Sequence, residues 1–325
     1  MSPCEKLTLG SKGTGTDTTP VSLDDYAVTS NGFLPEQPPL EKLPNPYYAP
    51  WESLVASVPS ALAEQTLRQQ VDRLPILSTD HLATEPEWRR ACVILGFLAH
   101  AYIWGGDTAS EHHGIPPVAT YASLNLWNFR TTCPSHTLTT ASTLHALHTF
   151  TGTFDESWFY TISVAMEAEG APLIPLLLSA LHTLDALSQP QASQPHVSSH
   201  AAHHHSFAAA AASVTHALHT MTSTIHTLGG LLDQMDLHCD PQVFYHRIRP
   251  FLAGSKNMAA AGLPRGVFYD EGDGRGAWRQ LRGGSNGQSS LVQFLDLVLG
   301  VEHAAGAGGR PERGGGEEKK VGGGG

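Results

Sequence analysis

The sequence predicts a mostly α-helical protein, with a small N-terminal domain followed by a larger, all-helical one. Three observations predict it. Apolar residues recur at helical spacing in several long stretches. Proline and glycine fall at the ends of those stretches, where helices stop. The 325 residues, set against roughly 150 per domain, leave room for two domains that bury cores of their own.

Residues 1–45 are rich in Gly, Thr and Pro and read as a flexible arm. From Trp51 to Leu74, the residues Leu54, Val55, Val58, Leu62, Leu67 and Val71 share a helical face, and Pro75 ends the run. Thr79 or Asp80 is placed to cap the next helix. That helix, Trp88 to Trp104, is apolar nearly all round, which means burial on every side, and Gly105-Gly106 stops it. A polar loop over 107–117 leads to a second apolar segment, Val118 to Phe129. Residues 130–136 read as a linker, so the small domain spans 46–130 and the large one 131–303.

In the larger domain, Ser157 to Leu187 reads as a helix broken near Pro172 or Pro175. Residues 189–206 are a low-complexity tract with the triplet His203–His205, read as a mobile loop. Phe207 to Met235 is Ala/Leu-rich and helical. Pro241 to Leu252 is a shorter helix interrupted at Pro250, and Ser289 to His303 is the last helix. The Gly-rich tail, 304–325, offers too little apolar surface to offset its ordering entropy and is expected to be disordered.

A net charge of −11 repels phosphate and argues against nucleic acid as a general partner. The four cysteines (Cys4, Cys92, Cys133 and Cys239) are scattered and form no CxxC pair, as in a reduced, cytoplasmic setting. The N-terminus has no apolar signal region. Ala91 to Trp104, taken as the longest apolar stretch, is too short to span a bilayer, so no membrane partner is expected, and the chain is expected to be a monomer.

Nineteen histidines invite a metal reading. The pairs His145/His148 and His216/His219 have helical i, i+3 spacing, but no HExxH occurs and no carboxylate stands as third ligand. Weak metal binding by His203–His205 remains the His-rich alternative. No GxSxG elbow supports a nucleophilic serine. GGSNGQ, 283–288, lacks the lysine and strand of a phosphate loop and reads as a turn before a helix, with Ser285 or Ser289 as cap. Phe244 and Arg249 are five apart, so a straight helix keeps them off one face. Spacing alone favours a core Phe beside a solvated Arg. Pro250, by pushing Arg249 toward extended geometry, offers a route to one shared pocket.

Seven segments, in order, carry a resemblance: RLPILSTDHL (73–82), AYIWG (101–105), PPVATYASLNLWNF (116–129), WFYTISVAMEAEG (158–170), FYHRIRPFLAGS (244–255), VFYDEG (267–272) and GGSNGQSSLVQFLDLVLGVEH (283–303). Together they resemble the indoleamine 2,3-dioxygenases, the fungal branch above all. The resemblance implies a small N-terminal domain over a large helical domain, with haem b between them. It implies that tryptophan and O2 are substrates, and that both oxygen atoms enter across the indole C2–C3 bond to give N-formylkynurenine, on the kynurenine route to NAD. The cofactor supplies the difficult chemistry and the protein supplies orientation.

The resemblance also assigns roles. Tyr121 lines the indole pocket. Phe159 and Ser163 lie on the distal side of the haem, where a small hydroxyl leaves room for O2. Phe244 packs on the substrate ring, and Arg249 pairs with the substrate carboxylate through its planar fork. Gly283, Gly284 and Ser285 form a loop close to cofactor and substrate, with Ser163 and Ser285 nearest the chemistry.

The chain departs from the family pattern in three places. It is shorter at 105–117, and Asn286 stands where a smaller residue is common. The family's iron-binding histidine lies beyond GVEH, yet no histidine follows His303, so no metal ligand is carried over. The large domain is therefore expected to be incomplete at its C-terminus and to hold haem weakly. The alternative reading is a catalytically inactive remnant.

Overall fold

A computed structural model describes residues 22–105, 118–133, 137–188, 200–272, 275–284 and 286–302. The expectations for the 107–117 loop, residues 189–199 and the tail lie outside these, as does the arm before residue 22. Residues 22–45, assigned to a loose arm, are held instead. Leu34 is fully buried against Tyr121, Phe129 and Val164. The turn Thr29–Gly32 closes because Gly32 adopts φ +71°, and a Cβ there would come within 2.9 Å of the Ala171 Cβ.

The helix predicted over 51–74 is three short ones: α1 (Ala49–Ala56), α2 (Val58–Ala63) and α3 (Leu67–Asp72). Pro59 has no N–H to offer the preceding turn, and Gln65 turns left-handed at φ +56°. The apolar stripe survives the breaks, since Leu54, Val55, Val58 and Leu67 are buried. Helix α4 (Glu85–Trp104) is buried on most sides, as its composition predicts. Its cap lies at Thr84, not at Thr79 or Asp80. The Glu87 carboxylate reaches back to the N–H groups of Ala83 (2.6 Å) and Thr84 (3.3 Å), which the helix cannot satisfy internally. Glu87→Ala is therefore expected to cost about 1 kcal/mol. An unchanged urea midpoint would sink that expectation. Beneath the cap, Arg90 is buried and forms a two-pronged ion pair with Glu52 at 3.0 and 2.6 Å.

After Tyr121 the chain makes a π turn, Ala122–Leu126, and enters β1 (Phe129–Thr131). This strand pairs antiparallel with β2 (Leu144–Ala146), Phe129 facing Ala146. Three-residue strands are too short for an alternation to register in sequence, and the pairing bridges the stretch where the linker was expected.

Helices α5 (Phe154–Gly170) and α6 (Leu173–Ser188) meet at Ala171–Pro172, the predicted break. Together, Phe154–Leu187 are long and apolar enough to cross a membrane by length and composition, a longer apolar run than 91–104; 50% of their most apolar window is buried inside the fold. Helix α7 (His200–Asp233) begins earlier than predicted, so His203–His205 lie on a helix and not in a loop. The Ala tract that follows is a strong helix former, and propagating a helix backward by a turn costs little. Next come α8 (Pro241–Val243), a π turn (Phe244–Ile248) and α9 (Arg249–Leu252). The antiparallel hairpin β3 (Val267–Gly272) and β4 (Arg275–Arg279) follows, and then α10 (Ser290–Leu299). Ser289 caps α10 by accepting from Val292 N–H at 3.2 Å, and Gly300, left-handed at φ +65°, ends it short of His303.

The elements are mostly helical, as predicted, and α5 lies at their centre. On one side, Tyr160 joins the core built by α1, α2 and α4. On another, Trp158, Ile162 and Ala165 pack with Leu231 and Cys239. Leu291 of α10 rests on Gly170, where a Cβ would lie 2.2 Å from Leu291 Cδ2.

Candidate functional site

Helix α5 presents Phe159, Ser163 and Glu167 at four-residue intervals, so the three share one face. The Ser163 hydroxyl donates back to the Phe159 carbonyl at 3.3 Å. The Phe159 ring meets the Phe244 ring at 4.8 Å between centroids, tilted 42°. Two residues remote in sequence thus form one aromatic wall beside a small hydroxyl.

Phe244 opens the π turn, and Arg249 closes it by donating its N–H to the Phe244 carbonyl. Pro250 does not push Arg249 into extended backbone: Arg249 is helical, at φ −51° and ψ −37°. The proline lacks an N–H and crowds the carbonyl four residues earlier. The chain answers by widening the turn by one residue, and i→i+5 bonding draws Phe244 and Arg249 closer to one side than α-helical spacing does. The Arg249 guanidinium is exposed and lies over the Tyr245 ring, 5.0 Å from its centroid.

Tyr121 is buried, and its hydroxyl donates to Glu167 Oε1 at 3.0 Å. Burial pushes the Tyr121 phenol well above 10. The neighbouring Glu167 raises it further, while the Ser289 and Ser163 hydroxyls pull it back. Burial likewise raises the Glu167 carboxyl against the hydrogen bonds it accepts from Ser289 and Tyr121.

Gly283 and Gly284 pack closely on the chain that follows α9 and on Leu124. A Cβ on Gly283 would lie 2.0 Å from Leu252 O and 2.4 Å from Gly254 N, and one on Gly284 2.5 Å from Leu124 Cδ1. The crowding on that side comes from the chain's own backbone and Leu124. Next to this contact, Ala253, Gly254, Lys256, Asn257, Met258, Arg282 and Gly283 line an open cleft of about 280 Å³. That is slightly below the ~300–1,000 Å³ of small-molecule pockets. Ser285 lies outside the described residues.

Tyr121, Phe159, Ser163 and Phe244 are therefore brought together, Arg249 stands exposed beside Tyr245, and the Gly283–Gly284 backbone meets Leu252, Gly254 and Leu124 instead. Sequence reasoning did not single out Glu167. Its signal was a carboxylate four residues after Ser163 inside an otherwise apolar run, Val164–Ala168.

Two imidazoles, His100 buried and His148 partly buried, pack against Phe150 and Phe97. His100 Nδ1 is 2.7 Å from the Phe251 carbonyl, so Nδ1 carries the proton and Nε2 is left without a partner. His148 Nε2 is also buried and unpartnered. Burial lowers His100 to about 4 and His148, with help from the Arg90 charge, to about 3. Among the described residues no three His, Cys, Asp or Glu side chains group as a metal site.

The family model for indoleamine 2,3-dioxygenase matches residues 22–320. The chain belongs to the indoleamine 2,3-dioxygenase family. It is 37% identical over 320 residues to an indoleamine 2,3-dioxygenase of Aspergillus candidus, covering 92% of this chain and 73% of that protein. To one of Penicillium citrinum it is 40% identical, covering 86% of this chain and 63% of the relative. To that of Saccharomyces cerevisiae it is 39% identical, covering 88% and 63%. The chain thus spans about two thirds of the length of these relatives, 63% to 73%.

A haem site in this family needs a wall for substrate and O2 and an imidazole for the iron. The described residues include an aromatic pair, Phe159 and Phe244, beside the small Ser163 hydroxyl. They do not offer the ligand. The rings against Phe159 are Tyr160 and Phe244, and His100 and His148, the imidazoles whose Nε2 is buried without a partner, sit against Phe150 and Phe97. The described residues alone do not fit a complete haem site.

Proposed function

We propose that this chain carries the substrate side of a haem-dependent dioxygenase that cleaves the tryptophan indole to N-formylkynurenine. The observation that carries the reading is the Phe159–Phe244 wall, 4.8 Å between rings, with Ser163 one turn along the same helix. An indole ring needs flat apolar surface and little else over most of its area. Phe244 and Phe159 offer that surface, and Tyr121 bounds it behind Ser163. Ser163 keeps the reacting edge uncrowded. Arg249 takes the substrate carboxylate at the exposed edge, where a guanidinium fork makes two charge-assisted bonds. Ser285, Gly283 and Gly284 are assigned to the same substrate and cofactor by the family resemblance alone.

The cofactor of this reading is haem b, which supplies O2 activation when bound. The pathway is tryptophan catabolism toward kynurenine and NAD, in the cytoplasm, by a monomer with neither nucleic acid nor membrane as partner.

Two measurements test this. Provided a histidine outside the described residues serves the iron, the chain, reconstituted with haem and reductant, is expected to turn tryptophan and O2 into a product with formylkynurenine absorbance. A folded chain that forms none, yet binds tryptophan, supports the inactive alternative. Separately, Arg249→Lys is expected to weaken L-tryptophan binding about tenfold by calorimetry, because a single ammonium cannot replace the bidentate fork. Equal affinities would remove Arg249 from the site.

A further inference from the structure

Glu167 is 1% exposed, and its two oxygens are used unequally. Oε1 accepts from the Tyr121 hydroxyl at 3.0 Å, the Ser289 hydroxyl at 2.6 Å and Leu291 N–H at 3.4 Å. Oε2 is buried with no hydrogen-bond partner. The donors come from segments 46, 122 and 124 residues away. One belongs to the residue that opens the π turn at 122–126, and the others to the start of α10, where the Gly283–Gly284 loop ends. Ser163 lies one turn earlier on the same face of α5.

A carboxyl this deeply buried carries a desolvation penalty that an apolar side chain of the same volume avoids. Simple space-filling therefore does not account for it. We propose that Glu167 is a positioning residue: its Oε1 fixes the Tyr121 hydroxyl and the start of α10, and thereby sets the wall behind Ser163 against the Gly283–Gly284 loop. The network stands on geometry alone. Its link to substrate rests on the dioxygenase reading above.

The inequality of the two oxygens defines the test. A glutamine places its amide oxygen at the Oε1 position and its NH2 where Oε2 meets no donor, so it preserves every bond. Alanine removes them all. Tyrosine labelled at Cζ with ¹³C reports the Tyr121 hydrogen bond, its resonance being assigned with Tyr121→Phe. In Glu167→Gln the Tyr121 resonance is expected to stay in place, with the Kd for L-tryptophan within about threefold of the unsubstituted chain. In Glu167→Ala the resonance is expected to move and Kd to rise about tenfold or more.

Should Glu167→Ala fail to fold, Tyr121→Phe serves in its place. It is expected to weaken binding by the same factor, and adding Glu167→Gln to it is expected to change nothing further. A stationary Tyr121 resonance in a folded Glu167→Ala, or Glu167→Gln as damaging as alanine, overturns the proposal. So does a Tyr121→Phe variant that binds tryptophan normally. If the unsubstituted chain binds no tryptophan, the dioxygenase reading fails by itself, and the Tyr121 resonance then decides the role of Glu167.

Discussion

Replacing Glu156 by alanine is expected to destabilise the protein by about 4 kcal/mol, since at least two buried donors lose their acceptor at ~1–3 kcal/mol each. Glu156 is fully buried in the first turn of α5. Its Oε1 accepts from Phe150 N–H at 2.8 Å and the Tyr160 hydroxyl at 2.9 Å. Its Oε2 accepts from Thr151 N–H at 2.7 Å and the Thr151 hydroxyl at 2.6 Å. Burial raises the Glu156 carboxyl, and these donors draw it back down.

Glutamine does not rescue here, in contrast to Glu167. Whichever oxygen becomes NH2 then faces a backbone N–H, of Phe150 or of Thr151, that can only donate. The Glu156 bonds hold the loop that carries Phe150. The Phe150 ring stacks on Phe251 at 5.1 Å and 8°, just before the Leu252–Gly254 backbone that meets Gly283. Loss of Glu156 is therefore expected to loosen the site as well. Urea unfolding followed by tryptophan fluorescence measures the effect, and a midpoint equal to that of the unsubstituted chain for either Glu156→Ala or Glu156→Gln would refute it.

Acid is expected to destabilise the fold by roughly 3 kcal/mol between pH 7.5 and pH 5, about 2 from His100 and about 1 from His148. Both are lowered by burial in the folded state, to about 4 and about 3, from 6.5. The unfolded chain thus binds protons that the folded one refuses. The stability is present in full above pH 6.5 and is lost as pH falls through the window toward pH 4. Arg90, buried nearby, adds to the penalty on His148 by placing a second positive charge beside it. His148 is partly exposed overall while its Nε2 is sealed, so water relieves some of its charge and its share is the smaller. The buried carboxyls oppose this trend: Glu156 and Glu167 are raised, and such groups contribute stability that fades as pH rises. Urea midpoints at the two pH values are expected to differ clearly, and the difference to shrink in His100→Asn/His148→Asn. Equal midpoints at pH 7.5 and pH 5 would defeat the argument.

Helices were legible in the sequence wherever a long run had a strong apolar pattern. Helix α4 and the α5/α6 break at Pro172 match closely, because all-round apolarity and a missing N–H act locally. The stretch Trp51–Leu74 did not, since a stripe of apolar residues reads the same whether or not the backbone beneath it breaks at Ser57 and Gln65. The hairpin of β3 and β4 was missed because its strands show little alternation and β4 is mostly exposed. At the site, motif order pointed to Tyr121, Phe159, Ser163 and Phe244, and the fold gathers them. The sequence did not reveal how Arg249 comes near Phe244, because a π turn is set by what a proline ring does to the carbonyl four residues back.

By itself, then, the sequence determined the family and the helical class, since each depends on residue type and local order. Tertiary structure alone decided that Glu167 ties Tyr121 to Ser289 and that Glu156 anchors the Phe150 loop. It also decided that His100 and His148 are neutral. Those properties belong to groups brought together across many tens of residues and shut away from water, and neither distance in space nor loss of solvent is written in the order of the chain.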